Sequence, residues 1–209
     1  QLDQLKRKHR RGCLHCAHQT GVNIVFGEGD PDAELMFVGE GPGAEEDRLG
    51  RPFVGASGQL LDKMIVAMGL RREDVYIANI VKTRPPGNRV PTYEEAKACQ
   101  PFLDEQIAVI QPKVIVTLGA TAVKYLLDNL NLAITKERGR WKTFKISSQV
   151  YNLERGASRE VAVMPTFHPA YLLRQVNRQA YALVWQDLKL VMAKLGRPIP
   201  HKLSSVTPR

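Results

Sequence analysis

Cysteine is scarce in this chain: 209 residues hold three, Cys13, Cys16 and Cys99. An odd number with one C-x-x-C pair does not make the paired framework of a small secreted protein, and it favours an intracellular, cytoplasmic setting. Cys13 and Cys16 are spaced as a metal or redox pair or as two buried thiols. Long apolar runs are missing as well. No stretch approaches the roughly 20 residues needed to cross a bilayer, so no membrane partner is expected. Acidic residues are in deficit, 21 against 30 basic, and the resulting charge of +9 favours a polyanion, most often nucleic acid. The excess is uneven: Lys6-Arg7-Lys8-His9-Arg10-Arg11 precedes the first cysteine, and residues 197–209 are a Pro-, Ser- and Arg/Lys-containing stretch expected to be a mobile tail. No repeat of solenoid length occurs. Apolar residues make up 44%, which separates the chain from disordered ones and is enough for a single domain over residues 1–196.

Four short, β-branched, nearly continuous apolar runs are present: Leu35–Gly39, Val75–Asn79, Val114–Gly119 and Val161–Pro165. Such runs suit strands buried on both faces. Helical stripes lie between and after them. One begins near Ser57 as N-cap, carries Leu60, Leu61, Met64, Ile65 and Met68, and closes at Gly69. A second starts at Thr92, with Glu94 and Glu95 in its first turn. A third follows Gly119, and the last carries Leu183, Val184, Leu188, Val191, Met192 and Leu195. The alternation predicts an α/β fold, a three-layer α/β/α sandwich around a mostly parallel four-stranded sheet. Residues 138–159 are expected to form a hairpin or loop excursion, with arms near Trp141–Ile146 and Val150–Leu153. In such sheets ligands sit beyond the carboxyl ends of the strands. There the sequence places Glu40-Gly41-Pro42-Gly43, Asn79, Ala120-Thr121 and His168.

The stretch Gly39-Glu40-Gly41-Pro42-Gly43 invites comparison with a dinucleotide fingerprint, but the third glycine is not where G-x-G-x-x-G requires it. Pro42 has no N–H to offer a phosphate, and Glu45, Glu46 and Asp47 would repel one. Close backbone approach to a flat ligand is the better use of these glycines.

Taken with "GRPFVG", "IANIVKTRPPGNR" and "FHPAYLLR" further along, "GEGPGAEED" resembles the family 4 uracil-DNA glycosylases, the iron–sulfur members of the uracil-DNA glycosylase superfamily. The resemblance runs from about Cys13 to the end of the last helix. It implies a monofunctional glycosylase that cuts uracil from DNA, acts as a monomer and starts base excision repair. A non-catalytic iron–sulfur nucleic-acid-binding protein is the alternative of another class, and a doubly wound nucleotide-handling enzyme a third.

Uracil inside a duplex is out of reach, so it must be flipped out at a cost of a few kcal/mol. The flipped base needs a stacking surface, for which Phe53 is suited, and backbone contacts from Gly41 and Gly43. Asn79 is suited to read the base, since an amide offers both donor and acceptor to the N3–H and O4 of uracil, a pattern that cytosine reverses. His168 can donate to O2 as charge develops. An oxocarbenium-like transition state is helped by a carboxylate that orients water. The candidates are Glu40 first, Glu46 second and Asp47 third. Lys82, Arg84 and Arg89 are expected on DNA phosphates. In the loop after His168, Tyr171 belongs to the DNA-facing set, Leu172 or Leu173 could fill the gap left by the flipped base, and Arg174 could hold phosphate.

The family's cluster takes four cysteines. Cys13, Cys16 and Cys99 match three, and Thr83 stands in the place of the fourth. A cubane ordinarily wants four thiolates. A 4Fe–4S cluster completed by water, Thr83, His15 or His18, a three-iron cluster, or an empty or zinc-filled site all stay open.

Overall fold

A computed structural model describes residues 1–12, 23–146, 159–174 and 179–200. Cys13, Cys16, His15, His18, the expected Val150–Leu153 arm and residues 201–209 of the expected tail lie outside the described residues. In chain order the elements are α1 (Leu2–Gly12), β1 (Glu28–Gly29), β2 (Leu35–Gly39), α2 (Ala44–Leu49), α3 (Ala56–Ala67), β3 (Tyr76–Asn79), α4 (Tyr93–Ile110), β4 (Val114–Leu118), α5 (Ala120–Leu126), α6 (Ile134–Glu137), β5 (Lys142–Ile146), β6 (Arg159–Thr166), α7 (Pro169–Leu173) and α8 (Gln179–Lys194).

The strands line up in the order β1-β3-β2-β4-β6-β5. The four expected strands form the parallel centre, and every residue of β2, β3 and β4 is buried. Alternation along β2 sends Met36 and Val38 to one face, against α4 and α5, and Leu35 and Phe37 to the other, against α3 and α8. These are the two interfaces of a three-layer sandwich. The expected count of four strands is corrected to six, because each edge carries an antiparallel strand. Neither edge strand has a continuous apolar run. β1 is two residues long and hugs β3 so tightly that a Cβ on Gly29 would fall 1.9 Å from the Val75 carbonyl oxygen. β5 buries only Phe144 and Ile146, and it is the first arm of the expected excursion.

Helix ends follow local chemistry. Thr92 Oγ1 accepts from the Glu95 N–H at 3.2 Å and Glu95 returns the bond to the Thr92 N–H at 2.8 Å, a reciprocal capping box. The start of α3 is corrected: Gly55, not Ser57, is its N-cap. The N-terminal basic run is helical within α1, with Leu5 and His9 buried on its inner side. Lys8 pairs with Glu105 at 2.5 Å, and the His9 ring meets Phe102 edge-on at 4.2 Å.

Candidate active site

The parallel registers place Gly39 beside Asn79 and Leu118 beside Thr166, so four strand ends share one edge of the sheet. Beyond that edge lies a cleft of about 610 Å³. Its walls come from distant parts of the chain, among them Glu40, Gly43, Phe53, Asn79, Gly119 and His168.

Asn79 ends β3 and is 1% exposed, yet its Oδ1 has no hydrogen-bond partner among the described residues. An unmet buried acceptor costs about 1–3 kcal/mol, so it is expected where a ligand completes it. The Asn79 amide lies against Gly39 and the Phe53 ring. A Cβ on Gly39 would stand 2.5 Å from both Asn79 Oδ1 and Phe53 Cζ. Gly39→Ala should therefore push one of these groups out of place. If the cleft takes the uracil that the motif resemblance implies, kcat/KM for its release is expected to fall at least tenfold (about 1.4 kcal/mol), and melting with and without free uracil will tell loss of the pocket from loss of the fold.

Phe53 is 5% exposed and adopts φ +50°, a left-handed conformation uncommon for an aromatic residue. Its ring lies 5.7 Å from the His168 ring, tilted by 31°. His168 caps α7: its Nδ1 accepts the Ala170 N–H at 3.0 Å. With Nδ1 an acceptor, the neutral ring carries its proton on Nε2. Burial, reinforced by the charge of Arg174 and only partly opposed by Glu46, brings the His168 pKa down to about 4, so the ring is neutral at physiological pH.

The three candidate acids separate by their partners. Glu40 lines the cleft, and its carboxylate makes no hydrogen bond or ion pair among the described residues. Glu46 also lines it, but its carboxylate accepts the N–H groups of Val54 and Gly55, both at 2.8 Å, and of Gly43 at 3.2 Å. It braces the first motif against the Phe53 loop. Asp47, the third expected acid, is not among the residues lining the cleft and accepts the Asn23 N–H at 2.7 Å.

Lys82 is corrected too. It is fully buried, donating to the Asn79 carbonyl at 2.9 Å and to Gln106 Oε1 at 2.6 Å, so its ammonium is turned inward and holds the end of β3, away from the surface where phosphate was expected. Leu172 is 1% exposed within the core, whereas Leu173 is 48% exposed. Tyr171 is exposed with its ring packed 4.9 Å from Phe167. Arg174 lines the cleft without an ion pair among the described residues. Arg84 donates to Asn88 at 2.7 Å, and Arg89 makes a two-pronged pair with Glu95.

Two supports escaped the sequence reading. Asp187, buried in α8, accepts from Thr166 Oγ1 at 2.6 Å and from Arg138, and so holds the end of β6 two residues before His168. An acid inside the apolar stripe Val184–Leu188–Val191 was its signal. Arg72, which grips the Phe53 loop, had none. Of the cysteine set, Cys99 and Thr83 are both buried, at 0% and 1%. The contacts of Lys8 and His9 lay the helix that leads to Cys13 along α4, which carries Cys99.

A sequence profile of the Uracil DNA glycosylase superfamily matches residues 26–189. A type-4 uracil-DNA glycosylase of Thermotoga maritima is 44% identical over 193 residues, covering 90% of this chain and 92% of its own length. One from Archaeoglobus fulgidus is 41% identical, with 95% and 96% covered. Another from Sulfurisphaera tokodaii is 47% identical, with 79% and 73% covered.

Proposed function

The chain belongs to the type-4 uracil-DNA glycosylases of the uracil-DNA glycosylase superfamily, and from that premise we propose that it hydrolyses the bond between uracil and deoxyribose in DNA, leaving an abasic site for base excision repair. The observation that carries this reading is the buried Oδ1 of Asn79, unmet among the described residues, in a side chain that lines one cleft together with the neutral imidazole of His168. Uracil presents the N3–H that this oxygen lacks, and the Asn79 Nδ2 donates to O4. Phe53 stacks on the base, and the Gly41–Gly43 backbone closes around its edge. As the N1–C1′ bond breaks, negative charge moves onto the uracil ring and its O2 takes the His168 Nε2–H bond. Glu40 orients a water toward C1′. A C1′–O bond forms, and the water's proton passes to the carboxylate and ultimately to the departing uracil. Arg174, with Arg84 and Arg89, meets the phosphates, while Leu173 beside Tyr171 fills the space of the flipped base.

A uracil-containing oligonucleotide tests the proposal. Conversion to an abasic, alkali-labile product is expected, and folded protein that leaves the strand intact would overturn it. Among the described residues no helix is long and apolar enough to cross a membrane. We take the enzyme to work as a cytoplasmic monomer on DNA.

We further propose that Cys13, Cys16 and Cys99 hold an iron–sulfur cluster, of 4Fe–4S type, with Thr83 at the corner that lacks a thiolate. Buried Cys99 and Thr83, and the course of α1 along α4, fit such a group. When bound, it supplies no step of the hydrolysis and ties the N-terminal segment to the chain after Asn79. Thr83→Cys should raise the iron and sulfide retained per chain and slow bleaching of the visible charge-transfer absorption by oxidant. Equal iron content and bleaching rate in the two proteins would count against Thr83 as the open corner.

A further inference from the structure

Phe53 is held in an unfavourable conformation. A bulky residue at φ +50° is costly, by something on the order of 1 kcal/mol, and persists only where its surroundings over-determine it. Those surroundings are specific. The Phe53 carbonyl lies so close to α3 that a Cβ on Gly58 would stand 1.9 Å from its oxygen. On the following peptide, Glu46 takes the Val54 N–H at 2.8 Å. On the preceding side, the grip comes from Arg72, which no recognisable motif contains.

Arg72 uses all five of its N–H groups. Nη1 donates to the Phe53 carbonyl at 3.1 Å and to Asp62 Oδ1 at 2.6 Å. Nη2 donates to the Pro52 carbonyl at 2.5 Å and to Glu28 Oε1 at 2.7 Å, and Nε donates to the same oxygen at 2.9 Å. One planar fork therefore ties two successive carbonyls of the loop to the edge strand β1 and to α3. Its side chain is 20% exposed, so these bonds compete weakly with water. Glu28 is engaged from both sides, since Arg51 also donates to it at 2.8 and 3.0 Å. Burial alone would raise the Glu28 pKa, but the hydrogen bonds and charges of the two arginines outweigh it and hold the carboxyl below its ordinary value.

We propose that Arg72 is a positioning residue for base stacking: by clamping the Pro52 and Phe53 carbonyls it fixes the Phe53 ring in the plane where a flipped base lies between that ring, the Asn79 amide and His168. A simple ion pair would need only the carboxylates. What distinguishes Arg72 is the pair of carbonyl bonds, one on the stacking residue Phe53 and one on Pro52 just before it. A lysine there keeps the charge but, as a point donor with three N–H groups, cannot span four acceptor groups in one plane.

The proposal rests on the uracil reading of the cleft, and its test separates the two. Arg72→Lys, Phe53→Ala and the double variant are compared for kcat and KM on a uracil oligonucleotide, for inhibition by free uracil, and for thermal midpoint. Arg72→Lys should weaken free-uracil inhibition and lower kcat/KM about tenfold, within the range a base–aromatic stack supplies. In the Phe53→Ala background the same substitution should change neither quantity further, because the ring it positions is gone. Addition of guanidinium ion should restore part of the free-uracil affinity of Arg72→Ala, which keeps the measurement open if lysine distorts the loop. Losses that multiply in the double variant would overturn the proposal, and so would an Arg72→Lys enzyme with wild-type uracil affinity. A wild-type protein that neither releases nor binds uracil would instead overturn the reading of the cleft itself.

Discussion

Replacing Asn79 with aspartate should lower uracil excision by about 10³-fold or more, roughly 4 kcal/mol of transition-state stabilisation. The size follows from where the amide sits. At 1% exposure, against Gly39 and the Phe53 ring, the residue has no water to soften a change of donor pattern. An ionised carboxylate can still accept the N3–H of uracil, but it cannot donate to O4, and it places its charge beside that oxygen in a poorly solvated wall. The variant's pH dependence should then be distinctive. A protonated acid offers one donor and one acceptor, so residual uracil excision should rise as the pH falls and the carboxyl takes up its proton. The same protonated acid can donate to N3 of cytosine and accept from its amino group, and cytosine excision should become detectable in acid. Unchanged uracil excision in Asn79→Asp would remove this side chain from the site, whatever its burial suggests.

The parts of this site that were legible in the sequence are those where one residue type answers a steric or chemical need at a strand end. Continuous apolar runs marked β2, β3, β4 and β6, and their ends located the cleft. Asn79 and His168 could be singled out because an amide and an imidazole just past strand ends satisfy no core requirement, whereas Phe53, which also packs in the core, was singled out through the motif resemblance. Partner choice was not legible. Lys82 stands in a run of loop-type residues, Lys-Thr-Arg-Pro-Pro, yet folds inward because the Asn79 carbonyl and Gln106 need a donor. Glu46 and Asp47 are neighbours in sequence, but the rotation of about 100° per residue along α2 sends the first to the cleft and the second to Asn23. Leu172 and Leu173 divide in the same way between core and solvent. Of the edge strands, β5 was expected only as an arm of the excursion near Trp141–Ile146 and not as part of the sheet, because half-buried alternation leaves no apolar run, and β1 was invisible because a close approach of backbone to backbone holds it.

For His168 the informative substitution is asparagine. Alanine would remove two things at once, the Nε2–H donor and the Nδ1 acceptor that caps α7 through the Ala170 N–H. Asparagine is a good N-cap and retains the second function while its short amide withdraws the first. His168→Asn should lower kcat by about 10²–10³-fold with little change in KM, as expected for a donor that meets charge only as the bond breaks. Two pH measurements check the protonation state. In the wild type, the His168 ring stays neutral until the pH approaches about 4, so kcat/KM should show no ionisation near the ordinary histidine value of 6.5. Stability should show the converse. The folded pKa lies below the unfolded one, so the unfolded chain binds this proton first, and falling pH destabilises the fold across the window from 6.5 down to about 4. Between about pH 7 and about pH 5 that contribution is about 2 kcal/mol, and His168→Asn should abolish it, leaving the variant less sensitive to acid than the wild type. An imidazolium mechanism predicts the reverse on both counts: activity that rises as the pH drops through 6.5, and a fold that gains stability there. The half-buried position of the ring, with the charge of Arg174 acting on it and Nδ1 already occupied by a backbone donor, disfavours the second proton that such a mechanism needs.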